Sequence, residues 1–311
     1  MGAPDLSVEL CGLRLRNPFV LAAGVLGTSA ALLERVARAG AGAVTSKSCG
    51  MAPRAGHPNP TVVPWGGGLI NAVGLANPGA AAMVSILQDA RRRCAPLGVP
   101  LIASLFGDTV EAFGDVTRIL EAAEPDLYEV NISCPNVAAE FGQPFAADPA
   151  VAARATAAVR AATDRPVIVK LSANVADICS VAQAVVEAGA DAIAAINTLG
   201  PGMLIDVRAR APVLANCVGG VSGPAIRPIA VRCVYELSRA VPVPIIGMGG
   251  VMNGKDAVEM IMAGAMAVGV GSAFYYRGIE ALAAMGAELA AFMAEEGFER
   301  VATMRGLAHE N

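Results

Sequence analysis

One unit recurs along this chain: an apolar, often β-branched run, a polar or glycine step, then an alanine-rich stretch with helical spacing. The runs that read as strands are Phe19–Ala22, Ala43–Ser46, Leu101–Ser104, Leu127–Ile132, Val167–Leu171, Ala192–Ile196, Pro244–Met248 and Ala267–Val270. Helices are expected near Ser29–Ala39, Gly79–Arg93, Thr109–Ala123, Asp148–Ala162, Val175–Ala188, Ala225–Ala240, Lys255–Ala263 and Gly278–Glu296. Three helices run through a glycine (Gly40, Gly189, Gly264) straight into a strand, the expected left-handed stop. Strands that alternate with helices form a parallel sheet, because each helix carries the chain back to where the next strand starts. Eight such units predict an α/β fold, a closed (β/α)8 TIM barrel. A doubly wound open sheet is the alternative, but no G-x-G-x-x-G follows the first strand.

Parallel strands are covered on both faces and so read as continuous apolar runs. That accounts for a mean hydropathy of +0.54 and 55% hydrophobic residues without a membrane span. Every apolar run is broken by glycine, proline or charge before the roughly 20 residues a span requires. Two stretches interrupt the rhythm. Leu6–Leu10 and Leu13–Leu15, joined at Cys11-Gly12, predict a hairpin that plugs the bottom of the barrel. Ser48–Pro78 is too long for an ordinary βα connection and is rich in Gly, Pro and Asn, so a long inserted active-site loop is expected there. With no linker or low-complexity segment, residues 1–311 are expected to form one domain.

A net charge of −4 excludes a strongly basic nucleic-acid binder. The start of the chain has no apolar core behind a basic stretch, so no signal peptide is expected. The seven cysteines (Cys11, Cys49, Cys94, Cys134, Cys179, Cys217, Cys233) are odd in number, scattered and without a C-x-x-C pair. A disulfide framework, a zinc site or an iron–sulfur cluster made by this chain alone is therefore not expected, no metal site is assigned, and a cytoplasmic compartment fits. The two histidines, His57 in a proline-rich loop and His309 in the tail, are poorly placed for Ser-His-Asp or multi-histidine metal chemistry.

In a barrel, chemistry belongs at the C-terminal strand ends. There the sequence places Ala23-Gly24, Lys47, Ser104, Asn131, Lys170, Asn197-Thr198, Gly249-Gly250 and Gly271-Ser272. Lys47 and Lys170 each follow an apolar strand, and a desolvated ammonium needs an anionic or strongly accepting partner. A lysine snorkelling from a strand end is the plainer alternative. The glycine clusters after strands seven and eight occupy the usual phosphate position of barrels, where backbone N–H groups bind anions. In Glu129-Val130-Asn131-Ile132-Ser133-Cys134-Pro135-Asn136, a strand ends in two amides that bracket a thiol, so Cys134 reads as a nucleophile or general base. The other six cysteines read as small buried hydrophobes.

Taken together, Asn131–Asn136, Val169-Lys170-Leu171-Ser172, Ile196-Asn197-Thr198, Gly219–Ile226 and Gly249-Gly250 resemble class 1 dihydroorotate dehydrogenases over nearly the whole chain. Leu69–Gly79 and Lys170–Val175 are more similar to the NAD-linked 1B subclass than to the fumarate-reducing 1A subclass. The resemblance implies an FMN-containing barrel that oxidises dihydroorotate to orotate in pyrimidine (UMP) biosynthesis, with Cys134 as the catalytic base. It implies substrate contacts from Lys47, Asn71, Ala72, Val73, Gly74, Leu75, Asn131, Asn136, Asn197 and Thr198. It implies FMN contacts from Ala23, Gly24, Lys47, Ser48, Ser104, Asn131, Lys170, Ile196, Gly223, Gly249, Gly250, Gly271 and Ser272, with Lys170 at the flavin's pyrimidine edge. Two positions depart from the family pattern: Ala23 stands where serine is usual, and Ser104 where asparagine is frequent.

The 1B resemblance further implies a homodimer of this chain joined by an electron-transfer subunit carrying FAD and a [2Fe–2S] cluster, giving a heterotetramer that passes electrons to NAD. The competing readings are a stand-alone fumarate-reducing enzyme, a related flavin barrel acting on other pyrimidines, and a non-catalytic FMN-binding subunit. Lys47, Cys134 and the asparagines speak against the last, because a structural barrel has no use for a base.

Overall fold

The computed structural model describes residues 3–132 and 145–310. The chain opens with an antiparallel hairpin, β1 (Val8–Leu10) and β2 (Leu13–Leu15). Eight parallel strands then close into a barrel: β3 (Phe19–Leu21), β4 (Ala43–Thr45), β7 (Leu101–Leu105), β8 (Leu127–Asn131), β9 (Val167–Leu171), β10 (Ala192–Ala195), β15 (Ile245–Met248) and β16 (Ala267–Val270). They neighbour one another in chain order, β16 pairing with β3 to complete the ring. All eight are the strands expected from the apolar runs.

The helices cover the outside, and side-chain caps set where several of them begin. Ser29, Thr109, Asp148, Asp177 and Asn253 each accept a hydrogen bond from an amide in the first turn of the helix that follows. The Asp177 cap starts its helix at Ile178, three residues later than the expected Val175. The expected Gly278–Glu296 helix begins at Ala281, and a short helix that was not expected, Ala273–Arg277, precedes it and ends at Gly278, which takes a positive φ. The three glycine stops, Gly40, Gly189 and Gly264, all have positive φ as expected.

The bottom of the barrel is tied by polar clamps. Asp191 accepts from the Val167 amide at 2.8 Å and pairs with Arg160 at 3.0 Å, and Asn17 bridges the Phe19 amide and the Gly40 carbonyl. The hairpin lies at this end, since the Cys11 thiol reaches the Asp191 carbonyl. Leu10 and Leu15 are wholly buried in the main core.

The stretch Ser48–Pro78 is not simply a loop. It contains β5 (Val62–Trp65) and β6 (Gly68–Asn71), which join β11 (Leu199–Gly202) and β14 (Gly219–Ser222) in a four-stranded antiparallel sheet of order β11-β14-β6-β5. A two-residue pair, β12 (Ile205–Asp206) with β13 (Ala211–Pro212), extends the connection between β11 and β14. These strands are short and interrupted by glycine (β6, β11, β14) or proline (β5, β11, β13) and lack apolar alternation, so they carry no strand signature. Pro64 and Pro201 lie on the two edge strands, where a missing N–H costs no ladder bond.

Because Leu15 is fully buried under the barrel, Leu15→Ala should destabilise the protein by about 2–5 kcal/mol. Urea denaturation checks this; a loss below about 0.5 kcal/mol would mean that the hairpin is not packed as described.

Candidate functional site

A cavity of about 780 Å³ opens at the C-terminal ends of the barrel strands, beneath β6 and β14 of the upper sheet. Its size lies within the usual range for small-molecule and cofactor sites. The barrel contributes Ala23 and Gly24 after β3, Lys47 and Ser48 after β4, Asn131 and Lys170 from β8 and β9, and Ile196, Asn197 and Thr198 after β10. Gly249 and Gly250 after β15 and Gly271 and Ser272 after β16 close the ring. From above come Asn71, Val73, Gly74 and Leu75, with Gly223 just past β14. Residues far apart in sequence therefore meet in one cavity, as the barrel predicts.

Among the described residues, two expected ones, Ala72 and Ser104, are not in that wall. Cys134 and Asn136 lie outside the described residues. Ala72 is buried behind the wall; its carbonyl lies 3.2 Å from His57 Nδ1 and its amide donates to the Thr61 carbonyl. His57 thus ties down the loop that holds Val73 to Leu75. Ser104 is wholly buried one layer below the cavity, because its short side chain stops at Ser48 Oγ, 2.8 Å away. An expected cofactor contact at Ser104 is therefore corrected to a supporting one.

Lys170 is only 4% exposed, and its side chain forms no hydrogen bond or ion pair with a described residue. Lys47, by contrast, is half-buried and is held in part by its amide, which donates to the Gly27 carbonyl at 2.9 Å. Asn71 Nδ2 donates to the Gly220 carbonyl at 3.2 Å, tying β6 to β14 within the upper sheet. The Gly250 backbone is pressed against its neighbours: a Cβ there would stand 2.6 Å from the Gly223 carbonyl oxygen, and its φ is +76°. Only glycine lets these two loops approach so closely.

The loop after β15 is clamped from outside. Arg227 pairs with Asp256, whose other oxygen accepts from the Met252 amide at 2.8 Å. Arg277 donates to the Met252 carbonyl and to Glu288, both at 2.6 Å, and Glu288 also accepts from the Gly254 amide at 2.6 Å. The Arg277 hydrogen bond, assisted by the Gly254 amide against the cost of burial, holds the Glu288 carboxyl below the usual range.

Burial raises the thiols of five described cysteines: Cys11 and Cys49 to about 12, Cys94 to about 11, and Cys179 and Cys233 upward. Cys49, Cys94 and Cys233 are buried, and Cys11 and Cys179 pack against the core half-buried. Cys217 is exposed, which corrects its reading as a buried hydrophobe; it sits in the excursion between β13 and β14, not under the barrel.

Several cavity residues escape sequence reading. Ser222 and Ile226 belong to the glycine-rich Gly219–Ile226 motif, so a signal existed there. Met248 ends an apolar strand, and Arg35 and Tyr275 project from helices; nothing in their local pattern marks them.

A family model described as dihydroorotate dehydrogenase matches residues 5–293. The chain belongs to the dihydroorotate dehydrogenase family. A protein of Methanothermobacter thermautotrophicus is 46% identical over 305 residues, covering 98% of this chain and 99% of that one. One from Methanosarcina mazei is 47% identical over 306 residues, covering 98% and 96%. One from Geobacter sulfurreducens is 44% identical over 308 residues, covering 98% and 99%. All three are named dihydroorotate dehydrogenase B (NAD(+)), catalytic subunit. No helix among the described residues is long and apolar enough to cross a membrane.

Glu288 makes the clamp pH-dependent. A carboxyl held low in the folded state stabilises above its unfolded pKa, and that gain disappears as pH falls through the folded value. With its side chain 38% exposed, solvent screening leaves a contribution of about 1 kcal/mol. Glu288→Ala should therefore lower Tm by about 2 °C at pH 7, the gap fading from about pH 5 towards pH 3. A gap that is constant over this range would remove the charge from the clamp.

Proposed function

We propose that this chain is the catalytic subunit of an NAD-linked dihydroorotate dehydrogenase, oxidising dihydroorotate to orotate in pyrimidine biosynthesis. The observation that carries this reading is the cavity itself. One space at the barrel mouth brings together Lys47, Lys170, Asn71, Asn131 and Asn197, in a chain whose relatives bear that name over nearly their full length.

The cavity suits FMN on its own evidence. A buried ammonium without a described counter-ion is costly unless an anionic or accepting group fills the space beside it. The tight backbone at Gly250 and Gly223, with Gly271 and Ser272 opposite, offers room and amide donors for a phosphate. Bound there, the flavin supplies the acceptor for a hydride from the substrate ring. Lys170 would stabilise negative charge at the pyrimidine edge, and Ala23, Gly24, Ser48, Ile196 and Gly249 would flank the ring and ribityl chain.

Oxidation of a CH–CH bond removes a proton and a hydride from adjacent carbons. Cys134 Sγ would take the proton. Lys47, with Asn71, Asn131, Asn136, Asn197 and Thr198, would hold the substrate carboxylate and amides, and Val73 to Leu75 would cover it. The whole chain, residues 1–311, would act as one cytoplasmic domain, paired as a homodimer. Electrons would leave through a partner subunit carrying FAD and a [2Fe–2S] cluster, in a heterotetramer.

Purified protein should be yellow, and dihydroorotate should bleach it. Turnover with NAD should require the partner subunit, and fumarate should not replace NAD. Full turnover of the isolated chain on fumarate would overturn the subclass; a chain that takes up no FMN would overturn the cofactor.

Cys134→Ser should still bind FMN and orotate. Its stopped-flow flavin reduction should be slow and rise only at higher pH, because a hydroxyl is a far weaker acid than a thiol. Reduction traces matching wild type across pH would exclude Cys134 as the base.

A further inference from the structure

Inside the barrel, a second charged residue lies close to Lys170. Glu129 stands on β8, two residues before Asn131, and Asn131 is the register partner of Lys170 on β9. Glu129 is 2% exposed and makes no ion pair with a described residue. Its described partner is the Ser104 hydroxyl, which donates to Oε1 at 3.0 Å. No pairing with Lys170 accounts for a carboxyl group at this depth.

The contacts beyond Ser104 assign a direction. A serine hydroxyl has one proton, and Ser104 spends its proton on Glu129. Ser48 Oγ, 2.8 Å from Ser104 Oγ, must then be the donor between the two serines. With that proton committed, Ser48 can meet any other group only as an acceptor. It accepts from Asn131 Nδ2 at 3.3 Å. The hydrogen bonds therefore run one way, from Asn131 to Ser48 to Ser104 to Glu129. Ser48 and Asn131 line the cavity, whereas Ser104 and Glu129 lie behind it.

We propose that Glu129 is a positioning residue that sets, from behind the wall, which hydrogen-bonding face the cavity shows: it makes Ser48 an obligate acceptor and holds the Asn131 carboxamide with its Nδ2 on Ser48. At Ser48 such a wall favours a ligand N–H over a lone pair. The N3–H imide edge of an isoalloxazine ring has this pattern, and Lys170, the register partner of Asn131, would hold the acceptor atoms of such an edge. The inference rests on the flavin reading above. It also explains how a short serine serves at position 104: Ser104 does not reach the ligand but transmits the polarity of Glu129 to Ser48.

Two variants break the run at different points. Ser104→Ala keeps the carboxyl group and cuts the chain; Glu129→Leu removes the carboxyl group and releases the Ser104 proton. In both, Ser48 loses its fixed direction. FMN titrated into apoprotein should bind about tenfold more weakly in each, the scale of one mismatched hydrogen bond. In resonance Raman spectra of the bound flavin, the N3–H bending band, identified by its shift in D2O, should move down in frequency in both variants. If one variant does not fold, the other tests the same run.

An effect confined to Glu129→Leu would mean that the carboxylate acts through its charge and not through the chain, and would overturn the proposal. Weaker binding with an unmoved N3–H band would mean a structural role only, and would overturn it too. Wild-type protein that binds no FMN would remove the flavin reading, and this inference with it. FMN bound equally tightly by all three proteins would overturn the inference alone.

Discussion

A closed parallel barrel gives its strands almost nowhere to put a polar side chain except the C-terminal rim. Helices cover the outer faces, and side chains fill the interior. Glu129 and Lys170 break that rule within the strands themselves, on adjacent strands near the cavity. Neither neutralises the other within ion-pairing distance. The carboxyl group meets the Ser104 hydroxyl on the neighbouring strand, and no described residue pairs with the ammonium, which leaves it for whatever occupies the cavity. The surrounding architecture serves this separation. The lower end is locked by Asp191, Arg160 and Asn17, and the upper end is built from glycine-rich loops that approach closely without filling the space.

The two ends differ in how they are held. At the bottom, side chains bond directly to the backbone of neighbouring strands, and the hairpin packs Leu10 and Leu15 into the main core. At the top, the loop after β15 is held from outside by Arg227–Asp256 and Arg277–Glu288, so its inner face remains free to meet a ligand. Within the antiparallel sheet above, Asn71 on β6 bonds to Gly220 on β14. That division matches the general pattern of barrels, with stability at one face and chemistry at the other.

The barrel was legible in the sequence because burial on both faces forces each strand to be apolar, and because glycine stops mark the helix ends. Most site residues were legible for the complementary reason: Lys47, Lys170, Asn131 and Asn197 are conspicuous at the ends of apolar strands. The upper sheet was not, since Gly68–Asn71 and Gly219–Ser222 pair through backbone groups and carry no alternating pattern. Ser104 lies behind the cavity wall and not in it, because position along a strand does not tell how far a short side chain reaches. Glu129 lay in plain view in the motif ending at Asn136, yet its use depends on which proton Ser104 spends, and only three-dimensional distances show that.

The central claim is that Lys170 carries a buried charge whose partner is the ligand and not a described residue of the protein. The most direct measurement is the FMN dissociation constant and midpoint potential of Lys170→Met beside wild type. The methionine keeps the length of the side chain and removes its charge. The account predicts FMN bound at least about tenfold more weakly, about 1.4 kcal/mol, and a lower potential, because the reduced anionic ring loses its counter-charge. An affinity and a potential both unchanged would place the ammonium away from the flavin and contradict it.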